Sequence, residues 1–462
     1  AVFDVISDDP RVQAIVIAFC FGGMMEALAG FGAPVAITGV MLMAVGFSSL
    51  RAATVVLLAN TAPVAFGAIG TPILTAGRLT ETDPAVIGAY VGHQTPIVAV
   101  LVPLLIIFLT DGRRGVTQVW PLALITGLAF GVAQWVSATF ISMELTDIIS
   151  SLAGLATIIL VLRFWKPVGG EDARASLRAD YEAERAGMTD AERAESEPQA
   201  DRTEVALTGS RVALALFPYL LVIAVFSLAK LWRPAIDVLA ATDVAVEFPV
   251  THGNVFTAAG ALNTSTIYQF TWLSNPGTIL LLCSIVVALV YRMSPGVVLH
   301  EYAHNAHKMR FSFLTVAAVL GLAYVMNLSG QTISIGTWIA GTGAAFAFLS
   351  PILGWLGTAV TGSDTSANAL FATLQQAAAQ EIGLNEHLLI AANTSGGVVG
   401  KMISPQNLTI AATAVGLLGR ESEILRRVIW WSVGLLVLIC LLVGLQSTPV
   451  LEWMLPSQWY FN

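Results

Sequence analysis

The chain has 462 residues, of which 56% are hydrophobic and 11% charged, and its mean hydropathy is +0.76. Too little polar surface exists to cover a soluble body, so the solvent must be lipid. The formal charge of −8 is concentrated in one stretch and marks no surface for nucleic acid. The cysteines, Cys20, Cys283 and Cys440, lie in apolar runs without CxxC or Cys/His spacing, which argues against a disulfide framework and a metal site.

The chain opens on AVFDVISDDPRVQ, with no initiator Met and no signal-peptide features, and further residues are expected upstream. Arg51, then Arg113 and Arg114, then Arg163, Lys166 and Arg211, then Lys308 and Arg310, then Arg420, Arg426 and Arg427 mark cytoplasmic loops. That orientation gives spans near 52–76, 85–110, 117–138, 147–164, 212–232, 276–292, 312–330, 386–413 and 424–445, each long enough to cross ~30 Å of hydrocarbon. Between Glu171 and Glu204 eleven Asp or Glu face five Arg, which reads as a solvated loop or short surface helix within 165–211.

Two apolar segments do not fit the count of simple spans. The one from Val12 to Phe47 must start and finish inside and is broken by Gly30 to Pro34; the one from Phe346 to Gln376 must start and finish outside and is broken by Thr361 to Asn368. Each reads as a re-entrant hairpin, inserted from opposite faces. Irregular backbone at that depth is tolerated where protein or a water-filled cavity satisfies it. Each hairpin precedes an interrupted span, LLANTAPVAFGAIGTP or LIAANTSGGVVGKMISP, with Asn-Thr in both. The expected fold class is therefore an all-α polytopic membrane protein with inverted repeats, each holding a hairpin and a broken helix. The expected organisation is a first repeat at 1–110 (hairpin 12–47, broken helix 52–76), scaffold-type helices at 111–311, a second repeat at 312–445 (hairpin 346–376, broken helix 386–413) and a tail at 446–462.

Ionisable groups inside the membrane zone are costly and hence functional candidates. Glu26, in GGMMEALAGFG, is an acid able to exchange a proton and serve as the coupling group, with Asp364 and His93 as further proton-coupling candidates. Asp364 sits among Ser363, Thr365, Ser366 and Asn368, a cluster able to hold a cation or a substrate hydroxyl. Lys401 can pair with a substrate carboxylate, or with Glu26 or Asp364. Gly30 and Gly32 shape the first tip, and Asn60, Thr61, Asn393, Thr394, Ser395 and Gln406 can satisfy freed backbone or orient a hydroxy acid. His300, His304 and His307 lie in EYAHNAHKMR and its flank, on the basic side, and read as an interfacial helix. Trp430, Trp431, Trp453 and Trp459 are placed as interface anchors. No Walker loop, HExxH or GxSxG is present, so no enzyme activity and no cofactor are expected.

The stretches FCFGGMMEALAGFGAPVAITG, ANTAPVAFGAIGTPIL, LTDIISSLAGL, SPILGWLGTAVTGSDTSANALFATLQ and AANTSGGVVGKMISPQNLTIAATAVGL resemble the L-lactate permeases, part of a wider superfamily of ion-coupled anion carriers. The resemblance runs from Phe3 to Leu445, apart from the acidic loop and the segment near Asp243 to Ala261. It implies a plasma-membrane carrier importing L-lactate, D-lactate and glycolate in symport with protons, with sodium coupling to another small carboxylate, or an anion channel, as alternatives. It further implies about a hundred residues upstream, polar tips at Gly30 to Pro34 and Ser363 to Asn368, and unwound segments at Asn60 to Pro63 and Asn393 to Gly396. By analogy such carriers move as elevators within homodimers.

Overall fold

The structure, a computed structural model, describes residues 6–30, 32–186, 209–256 and 266–456. Phe31 at the first tip, most of the acidic stretch beyond 186, part of the segment near Asp243 to Ala261, and Trp459 lie outside the described residues. The chain is an all-α polytopic membrane protein. Five described helices are long and apolar enough to cross a bilayer, or up to eight if each bent pair forms one span. The described residues divide into two compact units, one from 1–200 and 333–462, the other from 201–332.

The first unit begins with α1 (Pro10–Leu28), capped by Asp9, whose carboxylate accepts from the Arg11 N–H at 2.9 Å, with Pro10 in the first turn. Arg11 is fully buried and donates to Asp9, Asp111 and Gln118, tying the start of α1 to a distant turn. The helix ends because Gly30 (φ +56°) and Gly32 (φ +82°) adopt left-handed backbone. From there α2 (Ala33–Val45) folds back along α1, as a hairpin requires.

Next comes α3 (Ser49–Ala59), which unwinds at Asn60 to Pro63 and resumes through a 3₁₀ turn into α4 (Gly67–Thr80) at a 63° bend. The expected break at Asn60 is thus present. Ala68 (φ 45°) and Ile69 (φ 56°), followed by Gly70 (φ 70°), form a left-handed turn that side chains ordinarily avoid.

The expected single span at 85–110 is divided instead. Helix α5 (Pro84–Val91) stops at a turn over 92–94, and α6 (95–110) restarts with Pro96 in its first turn, because the proline needs no N–H partner there. Gly112 (φ 61°) reverses the chain into α7 (113–141), which returns along α6. A methyl on Gly127 would lie 2.5 Å from the Val100 carbonyl oxygen, so the small residue is what allows the limbs to approach. Helix α8 (Thr146–Phe164) then packs on α7 and on α1. Residues 113–164, grouped above with the scaffold segment, pack within this first unit.

Of the two forms expected for the acidic stretch, loop or short surface helix, its front takes the helix, and that helix is docked. In α9 (Gly170–Ala186), Ala173 and Leu177 are buried, Asp180 pairs with Arg51, and Glu184 accepts from the Leu50 N–H at 3.2 Å. One apolar stripe was enough to dock it.

The second unit holds α10 (Gly209–Leu231), α11 (Arg233–Ala240), and an antiparallel pair β1 (Val244–Glu247) and β2 (Ile267–Phe270) in register Val244 opposite Phe270. It continues with α12 (Pro276–Val290), α13 (Pro295–Lys308), which carries His300, His304 and His307, and α14 (Arg310–Leu328).

After α15 (Gln331–Ala340), the second hairpin belongs to the first unit. Helix α16 (Phe346–Thr361) ends at Gly362 (φ 76°), and Ser363 caps α17 (Asp364–Ile382) by accepting from the Ser366 N–H at 3.3 Å. Helix α18 (Glu386–Gly400) follows, then a 3₁₀ turn over Lys401–Ile403, then α19 (Pro405–Ala414) capped by Ser404, and finally α20 (Glu421–Gln446).

The expected unwinding at Asn393 to Gly396 is corrected here: those residues are helical, and the break lies at 401–404, where Ser404 and Pro405 start a new helix. The glycines serve close packing instead. A methyl on Gly354 would overlap the Asn393 carbonyl, one on Gly396 the Pro351 carbonyl, and one on Gly400 the Trp355 carbonyl. Helices α16 and α18 therefore touch backbone to backbone. The packing of the two halves is reciprocal: α2 of the first hairpin lies on α19, and α17 of the second lies on α4.

Candidate functional site

The two hairpin tips and the two helix breaks meet at one partly open pocket. It is lined by Glu26, Gly30, Val64, Gly67, Ala68, Pro72, Gly362, Ser363, Asp364, Thr365 and Lys401. Its free space is about 30 Å³, room for about one water molecule. Each break contributes for a local reason. Glu26 ends the first hairpin's incoming limb, Gly67 and Ala68 follow the break after α3, Asp364 opens α17, and Lys401 occupies the 3₁₀ turn after α18.

Charge is the dominant feature. Lys401 Nζ lies 2.5 Å from Glu26 Oε1, with side-chain exposures of 8% and 4%. The other carboxylate oxygen of Glu26 accepts from Asn60 Nδ2 at 3.0 Å, so the unwound Asn60 orients the acid. Gly67 is required at this spot, because a methyl there would lie 2.9 Å from Glu26 Oε1. Asp364 is 3% exposed; Oδ1 accepts from Thr358 at 3.4 Å, and Oδ2 has no partner among the described residues. Two carboxyl groups thus flank one ammonium, and all three side chains are almost wholly shielded. A buried charge without a partner costs several kcal/mol, roughly, so the site holds one ion pair and has a second acid whose charge nothing balances. Such a site can exchange protons and can offer its ammonium to an incoming anion.

The remaining candidates divide clearly. Ser363 and Thr365 line the cavity, and Gln406 packs on Gly362 beside it. Gly32 faces Ile410 and Asn407 of α19. Ser366 is buried behind the tip. Asn368, Asn393 and Thr394 form a satisfied network outside the cavity lining: Asn368 Nδ2 donates to Thr394 at 2.8 Å and to the Pro72 carbonyl at 3.1 Å, and Asn393 Nδ2 donates to Asn368 Oδ1 at 2.9 Å. That network clamps α17, α18 and α4 together. Ser395 donates to Gln94 at 2.6 Å, and Thr61 to the Leu58 carbonyl at 2.5 Å. His93 stands apart, held between the Ala89 carbonyl at 2.7 Å and the Trp135 indole N–H at 2.9 Å. It closes the end of α5.

Sequence reasoning missed Asp147. It is fully buried in the first turn of α8, its Oδ1 accepts from Gln134 Nε2 at 3.3 Å, and its Oδ2 has no partner among the described residues. Gln134 also donates to the Ala62 carbonyl at 3.1 Å, satisfying the unwound stretch after α3. The available signal was an acid in LTDIISS at the start of an apolar span, which resembles an ordinary helix N-terminal acid.

Comparison with known proteins fits this architecture. A family model described as L-lactate permease matches residues 2–450. The L-lactate permease of Salmonella typhi is 39% identical over 462 residues, covering 98% of this chain and 80% of that protein. The L-lactate permease of Bacillus subtilis is 38% identical, covering 98% and 81%, and the glycolate permease GlcA of Escherichia coli is 38% identical, covering 96% and 79%. No solved structure matches. With its apolar helices the chain is a multi-pass protein of the cell membrane, and it belongs to the L-lactate permease family.

Proposed function

We propose that this chain is a secondary active carrier that imports L-lactate, and with it D-lactate and glycolate, in symport with protons. The observation that carries the reading is the buried Glu26–Lys401 pair where both hairpin tips meet both helix breaks. An entering carboxylate competes with Glu26 for Lys401, and the released Glu26 takes a proton. The loaded site is then neutral, and a neutral site crosses an apolar barrier at far lower cost than a charged one. The cavity, about 30 Å³, must widen to admit a three-carbon acid, which fits a carrier whose tips part on one side at a time. The relatives named as lactate and glycolate permeases support the substrate class. Lactate and glycolate differ by one methyl, worth only about 1–3 kcal/mol in a pocket.

The two hairpins and broken helices form the transport domain in this proposal, with a homodimer as the assembly. The basic loops face the cytoplasm. The test is transport in proteoliposomes. Glu26→Gln is expected to abolish accumulation driven by a pH gradient and to leave lactate–lactate exchange intact. Unchanged driven uptake would remove Glu26 from the coupling role. The unpartnered Asp364 Oδ2 favours one variant, sodium coupling at the second tip, which uptake driven by a sodium gradient alone would establish.

A further inference from the structure

Asp147 lies outside the cavity lining, yet its position follows from the register of two helices. Helices α1 and α8 cross antiparallel. A methyl on Gly154 would lie 3.2 Å from Cys20 Sγ, and one turn along, a methyl on Gly23 would lie 2.7 Å from Ser151 Oγ. One further turn in the same register brings Glu26 opposite Ile148, the neighbour of Asp147, and Asp147 interacts electrostatically with both Glu26 and Lys401. Glycine at 23 and 154 is what lets the two backbones approach.

This seam is polar and unsatisfied. Asp147 Oδ2, Ser151 Oγ and Thr126 Oγ1 are buried and have no hydrogen-bond partner among the described residues. Buried polar atoms are ordinarily paired, so the unpaired Oδ2 of Asp147 near Glu26 points to a group that exchanges a proton, while Ser151 and Thr126 lie one and two turns further along the seam. The ionisable groups facing Asp147 are Glu26 of α1 and Lys401 beyond it; α7 contributes the uncharged Gln134, and the Cys20 thiol and Thr126 lie about two turns away, at the level of Gly154. Three buried carboxyl groups, Glu26, Asp147 and Asp364, then share one buried ammonium. They cannot all be ionised without uncompensated charge in a dry interior.

We propose that Asp147 is a second proton-carrying acid, which passes a proton to Glu26 across the α1–α8 seam. The inference rests on the proton-symport reading. When the substrate carboxylate takes Lys401, the Glu26 carboxylate accepts the proton held by Asp147. The Asp147 carboxylate is then reprotonated by water from the end of α8 at which half-buried Ser142 and Glu144 approach the surface. One proton and one anion enter per cycle, and no charge is left behind.

The experiment compares the parent, Asp147→Asn and Asp147→Glu in proteoliposomes, with labelled L-lactate as the probe. Uptake driven by an acid-outside pH gradient is measured beside lactate–lactate exchange, which needs no net proton movement. Asp147→Asn is expected to lower driven uptake at least about tenfold and to keep exchange within about twofold, and Asp147→Glu is expected to restore driven uptake. Driven uptake in Asp147→Asn within twofold of the parent overturns the relay. So does parallel loss of exchange and driven uptake, which marks a structural role. Failure of the symport reading itself shows earlier and separately, as a parent protein that a pH gradient does not drive.

Discussion

The Glu26–Lys401 pair permits a sharp test of the site. Lys401→Met removes the ammonium and keeps the length of the side chain. Glu26 then retains only the Asn60 donor at 3.0 Å, in a setting where its side chain is 4% exposed. Breaking a buried pair from one side costs about 3–5 kcal/mol. Replacing both partners, in Glu26→Gln with Lys401→Met, leaves no buried charge and costs much less. The double-mutant cycle is therefore expected to show a coupling of at least about 2 kcal/mol. Stability is read as the SDS-induced unfolding of detergent-purified protein, and function as lactate exchange. Lys401→Met and the double variant are both expected to lose exchange, since in the proposed mechanism the ammonium receives the substrate carboxylate. A Lys401→Met protein as stable as its parent, with additive effects in the double variant, would refute the pairing. Retained exchange in Lys401→Met would detach the lysine from the substrate.

Two other expectations concern backbone geometry. Gly354→Ala forces a methyl into the Asn393 carbonyl, and since a helix backbone cannot yield, the expected loss is at least about 1–3 kcal/mol, seen as a lower unfolding midpoint and a smaller monodisperse fraction on size exclusion. Ala68→Gly relieves a left-handed residue (φ 45°) and is expected to stabilise by up to about 1 kcal/mol once the larger unfolded-state entropy of glycine is counted; a lower midpoint would contradict the left-handed turn.

Much of this site can be read before any coordinates exist, because the bilayer makes charged residues rare and therefore conspicuous. Glu26, Asp364 and Lys401 stand out on that ground alone, and the structure brings all three to one cavity. The tips were legible too, since Gly30, Gly32 and Gly362 take backbone angles that break a helix. What failed was the unwinding expected at Asn393 to Gly396, which depended on knowing the purpose of Gly396. Gly396 follows Asn393 and Thr394 much as Gly67 follows Asn60 and Thr61, yet one glycine makes room for the Pro351 carbonyl and the other makes room for Glu26. Local composition cannot separate these uses, because the difference lies in what packs opposite. His93 misled for a related reason: it is an ionisable residue in an apolar stretch, but Trp135 and the Ala89 carbonyl occupy both ring nitrogens. Asp147 escaped notice because a helix start excuses an acid, and only tertiary packing shows that the start of α8 is buried.

The reciprocal packing of the hairpins sets the mechanics of opening. Glu26 lies on the limb leading into the first tip, whose outgoing limb α2 rests on α19, and α19 is the helix that follows Lys401. In the proposed carrier, lifting that tip would pull on the helix anchored beside the lysine, which links access on one side to the length of the ion pair. The second tip is geared in the same way to α4, which follows the turn beside Glu26. Both linkages thus end on the same pair of charges.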